Sequence, residues 1–116
     1  MKTMLRSLAF VLVSSSMALA SEGWLTDWEA AKAKSKAENK PILLNLFGSD
    51  WCGWCIKLEK EVLSQKAFKD FAAQNLILME ADFPKKKELP ADLKKQNEAL
   101  KKQHLNGGYP TIYLVD

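Results

Sequence analysis

The sequence predicts an α/β domain in which strands and helices alternate around a single sheet. Two apolar runs, Ile42–Phe47 and Leu76–Met79, are too short for helices and are bounded by Pro, Gly or Asn. Such runs suit buried strands. Between and around them, apolar residues recur at three- and four-residue spacing, the period of a helix with one buried face. The two cysteines of the chain, Cys52 and Cys55, follow the first apolar run. That is the carboxyl end of a strand, where α/β folds place their sites.

The first twenty residues read as a leader rather than as part of the domain. Lys2 and Arg6 form a basic start, Leu8–Val13 a short apolar core, and Ala18-Leu19-Ala20 a small-residue cleavage site. This is a secretory signal peptide cut after Ala20, which leaves a domain at 21–116. As a membrane anchor the stretch is too short and carries Ser14, Ser15 and Ser16. No cysteine stands at the cleavage point to take a lipid, and no later segment is apolar enough to cross a membrane. Removing Lys2 and Arg6 from the 17 basic residues leaves 15 lysines against 14 acids, a net charge of about +1. Such a balance gives no reason to expect nucleic acid. The run Lys85-Lys86-Lys87 reads as a solvated loop.

In the mature chain, Trp24-Leu25 is a candidate short first strand. Thr26 and Asp27 can cap a helix to about Glu38, with either Trp28, Ala31 and Ser35 or Ala30 and Ala33 turned inward. Asn39-Lys40-Pro41 ends it. The strand Ile42–Phe47 leads through Gly48-Ser49-Asp50 into Trp51-Cys52-Gly53-Trp54-Cys55. From Cys52 to about Ala73 the pattern is helical, with Cys55, Leu58, Val62, Phe68, Phe71 and Ala72 inward and Ser64 as a possible break. Leu76–Met79 is the next strand, and Glu80–Pro84 reads as the loop leaving it. Pro90 suits a helix start, Leu93, Asn97, Leu100 and His104 share a face, and Asn106-Gly107-Gly108 closes that helix. Thr111–Val115 is the last strand. Alternation of this kind implies right-handed crossovers and a parallel core with helices on both faces.

Cysteines three apart close so small a loop that a disulfide between them adds little as a staple. Exported to an oxidising compartment, they are better explained as reactive. A helix N-terminus after Cys52 stabilises a thiolate there, and Cys55 is near enough to form a disulfide with it. The pair is then a reversible two-electron switch.

With these motifs in place, the chain resembles the thioredoxin-like family. Trp51-Cys52-Gly53-Trp54-Cys55 after an apolar strand and Gly108-Tyr109-Pro110-Thr111 before another carry the resemblance, which extends over residues 22–116. The stretch from Gly48 to Cys55 is most similar to exported bacterial members, so the periplasm is the expected location. The resemblance implies a thioredoxin fold, a central mixed sheet flanked by helices. It implies Cys52 as the attacking cysteine, Cys55 as the resolving one, and a cis bond before Pro110. Trp51, Gly53, Trp54, Tyr109 and Pro110 become the substrate-facing residues. The chain departs from the family in three ways. The position of its usual buried Asp, which helps the resolving cysteine lose a proton, holds Leu46, or Asn45 if the turn has one residue more. Glu59, one turn past Cys55, is a substitute, against its plainer reading as a solvated helix residue. Gly53-Trp54 replaces the Gly-Pro of thioredoxin. The last strand and helix of the fold are also missing, roughly 20 to 30 residues by typical element lengths.

The implied function is an exported thiol–disulfide oxidoreductase acting on protein or peptide disulfides. It needs no cofactor, and a membrane thiol donor or acceptor is its second partner. Reductase, oxidase and isomerase directions all remain open. The alternative is a binding module of the same fold, its thiolates holding copper(I) or another metal or serving a partner protein. A domain whose cysteines stay oxidised is a third. Trp24 and Trp28 read as packing residues, His104 as a surface residue at a helix end, and Asp50 as a charge opposing a thiolate at Cys52.

Overall fold

A computed structural model describes residues 21–116. The leader expected at 1–20 lies outside them. Among the described residues the order is α1 (Trp28–Glu38), β1 (Ile42–Phe47), α2 (Gly53–Leu58), a π-helical turn (Glu59–Leu63), α3 (Lys66–Asn75), β2 (Ile77–Asp82), α4 (Ala91–His104) and β3 (Thr111–Val115). No described helix is long and apolar enough to cross a membrane.

Asp27 caps α1, its Oδ1 accepting from the amides of Glu29 and Ala30 at 2.9 and 3.2 Å. Ala31 is buried with Trp28 and Ser35 beside it, while Ala30 and Ala33 face out. Asn39, at a left-handed φ of 54°, ends the helix. The first strand shrinks to a single parallel bridge between Leu25 and Met79.

The sheet order is β2-β1-β3, with β1 and β2 parallel and β3 antiparallel to β1. An all-parallel core is therefore wrong and the mixed sheet of the thioredoxin fold is right. Alternation says that a helix separates two strands but not in which direction the chain re-enters the sheet. The links 83–90 and 105–110 are long enough to reverse it. β2 also runs on to Asp82, because Asn45, Leu46 and Phe47 pair with Glu80, Ala81 and Asp82. The charges that suggested a loop alternate with the buried Ala81.

Alternation along the strands separates two faces. Ile42, Leu44, Leu46, Ile77, Met79 and Ala81 form the apolar core with Ala31 of α1 and Leu100 of α4. Leu43, Asn45, Phe47, Leu78, Glu80 and Asp82 point the other way, the side on which Asn45 and Phe47 share a cavity with Cys55 and Ile56 of α2.

The π turn revises the helical pattern. The amide of Ser64 donates to the Glu59 carbonyl at 2.9 Å, a bond spanning five residues. One residue more per turn moves the inward position from Val62 to Leu63, which is buried while Val62 is exposed. In α3 the inward residues are Phe68, stacked on Trp24, and Ala72; Phe71 is exposed, contrary to the sequence pattern.

Candidate active site

β1 delivers the chain to Gly48, whose carbonyl accepts the Cys52 amide at 3.1 Å. Cys52 is the N-cap of α2 and is disulfide-bonded to Cys55. Its Sγ also accepts the Cys55 amide at 3.2 Å. That sulfur therefore sits where a helix start offers an unsatisfied N–H and the positive end of the dipole. Both cysteines are buried, at 5% exposure.

Trp51 fixes the loop to its surroundings. Its Nε1–H donates to the Phe83 carbonyl at 2.7 Å, and the Tyr109 ring meets it edge-on at 5.6 Å between centroids. The Lys85 ammonium stands 3.8 Å over the indole, a cation–π geometry. Gly48 lies against the same ring, and a methyl group there would come closer than 3.0 Å to three of its atoms. Glycine at 48 is thus a requirement of the close approach.

Asp50 has a different part from the one its charge suggests. Its carboxylate accepts the amides of Lys85 and Lys86, both at 2.9 Å. The Lys85 hydrogen bond, joined by that of Lys86, holds it below the usual carboxylate range, although desolvation acts against this. The lysine run is an exposed loop, as expected, but an anchored one. Its backbone is tied to Asp50, Lys85 covers Trp51, and Lys87 pairs with Asp82 at 3.4 Å. Ser49 binds the same Asp82 through its amide and hydroxyl, at 2.9 and 2.6 Å.

The Tyr109–Pro110 bond is cis. Tyr109 packs on Phe83 at 5.3 Å as well as on Trp51, so aromatic contacts join this loop to the cysteine loop. Gly53 and Trp54 face solvent, Trp54 at 70% exposure with Lys57 5.3 Å from its ring. The structure thus joins Tyr109, next to the cis Pro110, to the cysteine loop through Trp51, and leaves Trp54 as an outer apolar surface. His104 is elsewhere, half-buried between Trp28 and Tyr113 rather than on the surface. Among the described residues no group of three or more His, Cys, Asp or Glu side chains gathers as a metal site does.

Of the two positions considered for an acid behind Cys55, Leu46 belongs to the opposite, apolar core. Asn45 is on the cysteine side. It shares with Cys55, Ser21, Ser49, Ile56 and Glu59 a cavity of about 330 Å³, and its buried Oδ1 has no partner. Beside Asn45 in the sheet stands Glu80, a residue the sequence reading had placed in a loop. It is 8% exposed, and its two oxygens accept the amide and hydroxyl of Ser21, each at 2.9 Å. Burial pushes its carboxyl above the ordinary value of 4.5, the Ser21 bonds pull it back, and the charges of Glu59 and Asp82 push it further up. The available signal was a pair of acids, Glu80 and Asp82, in step with the strand alternation.

Comparison with known proteins places these features in context. A thioredoxin-like family model matches residues 23–116. The disulfide bond reductase DsbH of Chlamydia pneumoniae is 40% identical over 92 residues, covering 77% of this chain and 55% of that protein. The thioredoxin-related protein DsbJ of the same organism is 32% identical over 92 residues, covering 79% and 26%. A solved structure of a DsbH oxidoreductase superposes with a TM-score of 0.77 at 36% identity, over 91% of this chain and 73% of that one. The chain thus spans about half the length of the first relative and about a quarter of the second.

Proposed function

The chain belongs to the thioredoxin-like family, and from that membership we propose that it exchanges disulfides with exported protein substrates, in the reducing direction. One observation carries the reading: a Cys52–Cys55 disulfide at the start of α2, joined through Trp51 to the cis Tyr109–Pro110 loop. The direction follows the relative called a disulfide bond reductase. The leader at 1–20 and the domain at 21–116 belong to the same proposal, with the periplasm as the place of action.

In the reduced protein Cys52 is the nucleophile. Its thiolate is favoured by the helix N-terminus and by the Cys55 amide. Attack on a substrate disulfide forms a bond from Cys52 Sγ to one substrate sulfur and expels the other as thiolate. Cys55, having lost its proton, attacks Cys52 Sγ, closes the Cys52–Cys55 bond and releases the second substrate thiolate. The substrate gains two electrons and the protein loses two, which a membrane thiol donor restores. Trp54 offers an apolar contact and the backbone of Tyr109 a pairing edge for an extended peptide.

Reduction of insulin disulfides with a thiol regenerant tests this. The wild-type chain accelerates the reduction and Cys52→Ser abolishes the acceleration; an undiminished rate in Cys52→Ser refutes the reading. The direction is tested by the reduction potential. A value near that of thioredoxin, about −270 mV, supports a reductase, and one near that of a strong oxidant, about −120 mV, contradicts it.

A further inference from the structure

Glu80 lies in β2 at 8% exposure, and a carboxylate so placed calls for a counter-charge. Among the described residues no lysine forms an ion pair with it. Its two oxygens are instead held by one residue. The backbone nitrogen of Ser21 stands 2.9 Å from Oε1, and the Ser21 hydroxyl stands 2.9 Å from Oε2. Ser21 is also the residue that follows the cleavage signal Ala18-Leu19-Ala20. We propose that removal of the leader turns the Ser21 nitrogen into an α-ammonium that pairs with the buried Glu80 carboxylate, so that processing fastens the new N-terminus to the sheet. The inference rests on the part of the reading above that places a leader at 1–20.

The chemistry balances. A leader-cleaving protease adds water across the Ala20–Ser21 peptide bond. The hydroxyl of the water completes the Ala20 carboxyl, and its hydrogen goes to the Ser21 nitrogen. The carboxyl proton then passes to the amine, because α-amino groups titrate at about 8 and α-carboxyls at about 3.5. A neutral donor thus becomes a cation at the place where the oxygen already waits. The segment behind it is bound independently. The Ser21 carbonyl accepts the Trp24 amide at 3.0 Å, and Trp24 is buried against Phe68. The Leu25 amide donates to the Leu78 carbonyl at 2.8 Å, and the Leu25 carbonyl accepts the Glu80 amide at 2.9 Å. Little freedom is left to lose when the pair forms. Other charges stand around Glu80. Glu59 and Asp82 push its carboxyl up, as burial does first. Lys87 lines a small cavity with Glu80 and Asp82, but its ammonium pairs with Asp82 at 3.4 Å. Lys60 lines the cavity beside Cys55 with Ser21 and Glu59. The upward push on Glu80 belongs to the 116-residue chain, in which Ser21 carries a neutral amide; in the processed chain the α-ammonium opposes it.

The test starts from the full chain, exported by a host and purified after processing. Intact mass gives its first residue. Acylation of the α-amine by acetic anhydride across pH, read by mass spectrometry of the N-terminal peptide, gives the titration midpoint. In the unfolded protein the midpoint lies at about 8. In the folded protein it rises by about one pH unit or more, and Glu80→Gln returns it to about 8. An amine raised in this way stabilises the fold fully below its unfolded midpoint, and the gain is lost as pH rises through the folded one. At neutral pH a chain starting at Ser21 should therefore melt about 5 °C or more above one starting at Ala20, whose amine is a residue away from Glu80. The gap should close above the folded midpoint. A folded chain starting at Ser21 with an unshifted midpoint overturns this inference alone. Equal melting of the two chains does the same, as does a folded Glu80→Gln that keeps the raised midpoint. Should Glu80→Gln not fold, the comparison of the two starts decides. A chain that begins elsewhere, or keeps its leader, overturns the leader reading and this inference with it.

Discussion

Three charged residues depart from what their chemistry first suggests. Asp50 binds the backbone of the lysine run, Lys85 covers Trp51, and Glu80 is buried in a strand. The Glu80 carboxyl is raised first by burial, so its folded value lies above its unfolded one. The sign follows from linkage. Its contribution to stability is fullest below the ordinary value of 4.5 and declines as pH rises through the raised folded value. Compared with Glu80→Gln in denaturant unfolding, the wild-type chain should therefore hold its greatest relative advantage in acid and lose it toward neutrality. An advantage that grows with pH would contradict the burial account. Glu80 escaped sequence reading because an acid after an apolar run resembles a strand exit. What marked it was its step with Leu78 and Asp82, opposite to the core-facing Met79 and Ala81, and its value depended on Ser21, 59 positions away.

Among the elements, the cysteine-bearing helix teaches most. Cys52 as helix start, Ser64 as break and Ala72 as an inward residue were all legible from spacing and composition. The π turn was not, since a pattern of three- and four-residue steps assumes a constant period and cannot show where one residue is added. The structure makes a contrast that a uniform helix does not. Leu63→Ala should cost about 2–5 kcal/mol, because Leu63 is buried. Val62→Ala, exposed, should stay within about 0.5 kcal/mol. Chemical unfolding of the two variants checks this, and equal losses would place the inward seam where the unbroken period had it. The direction of β3 was similarly hidden, because nothing local to Thr111–Val115 records its partner's orientation.

At the scale of the whole molecule the sheet divides its labour between faces. One holds the apolar core against α1 and α4. The other carries Asn45, Glu80 and Asp82 on the side of the cysteine helix, and loops from three places meet at Trp51. Stability and redox chemistry thus draw on different surfaces of the same strands. The thioredoxin fold and the cis Tyr109–Pro110 bond were readable from two short motifs, while the polar face of the sheet required the register. The central claim is that Cys52 forms the covalent link to substrate and Cys55 breaks it. Trapping tests it most directly. Cys55→Ser, mixed with a disulfide-bearing protein, should accumulate an adduct through Cys52 that dithiothreitol releases and that the Cys52→Ser, Cys55→Ser double variant cannot form. Absence of the adduct, or an adduct that survives loss of Cys52, would contradict the account.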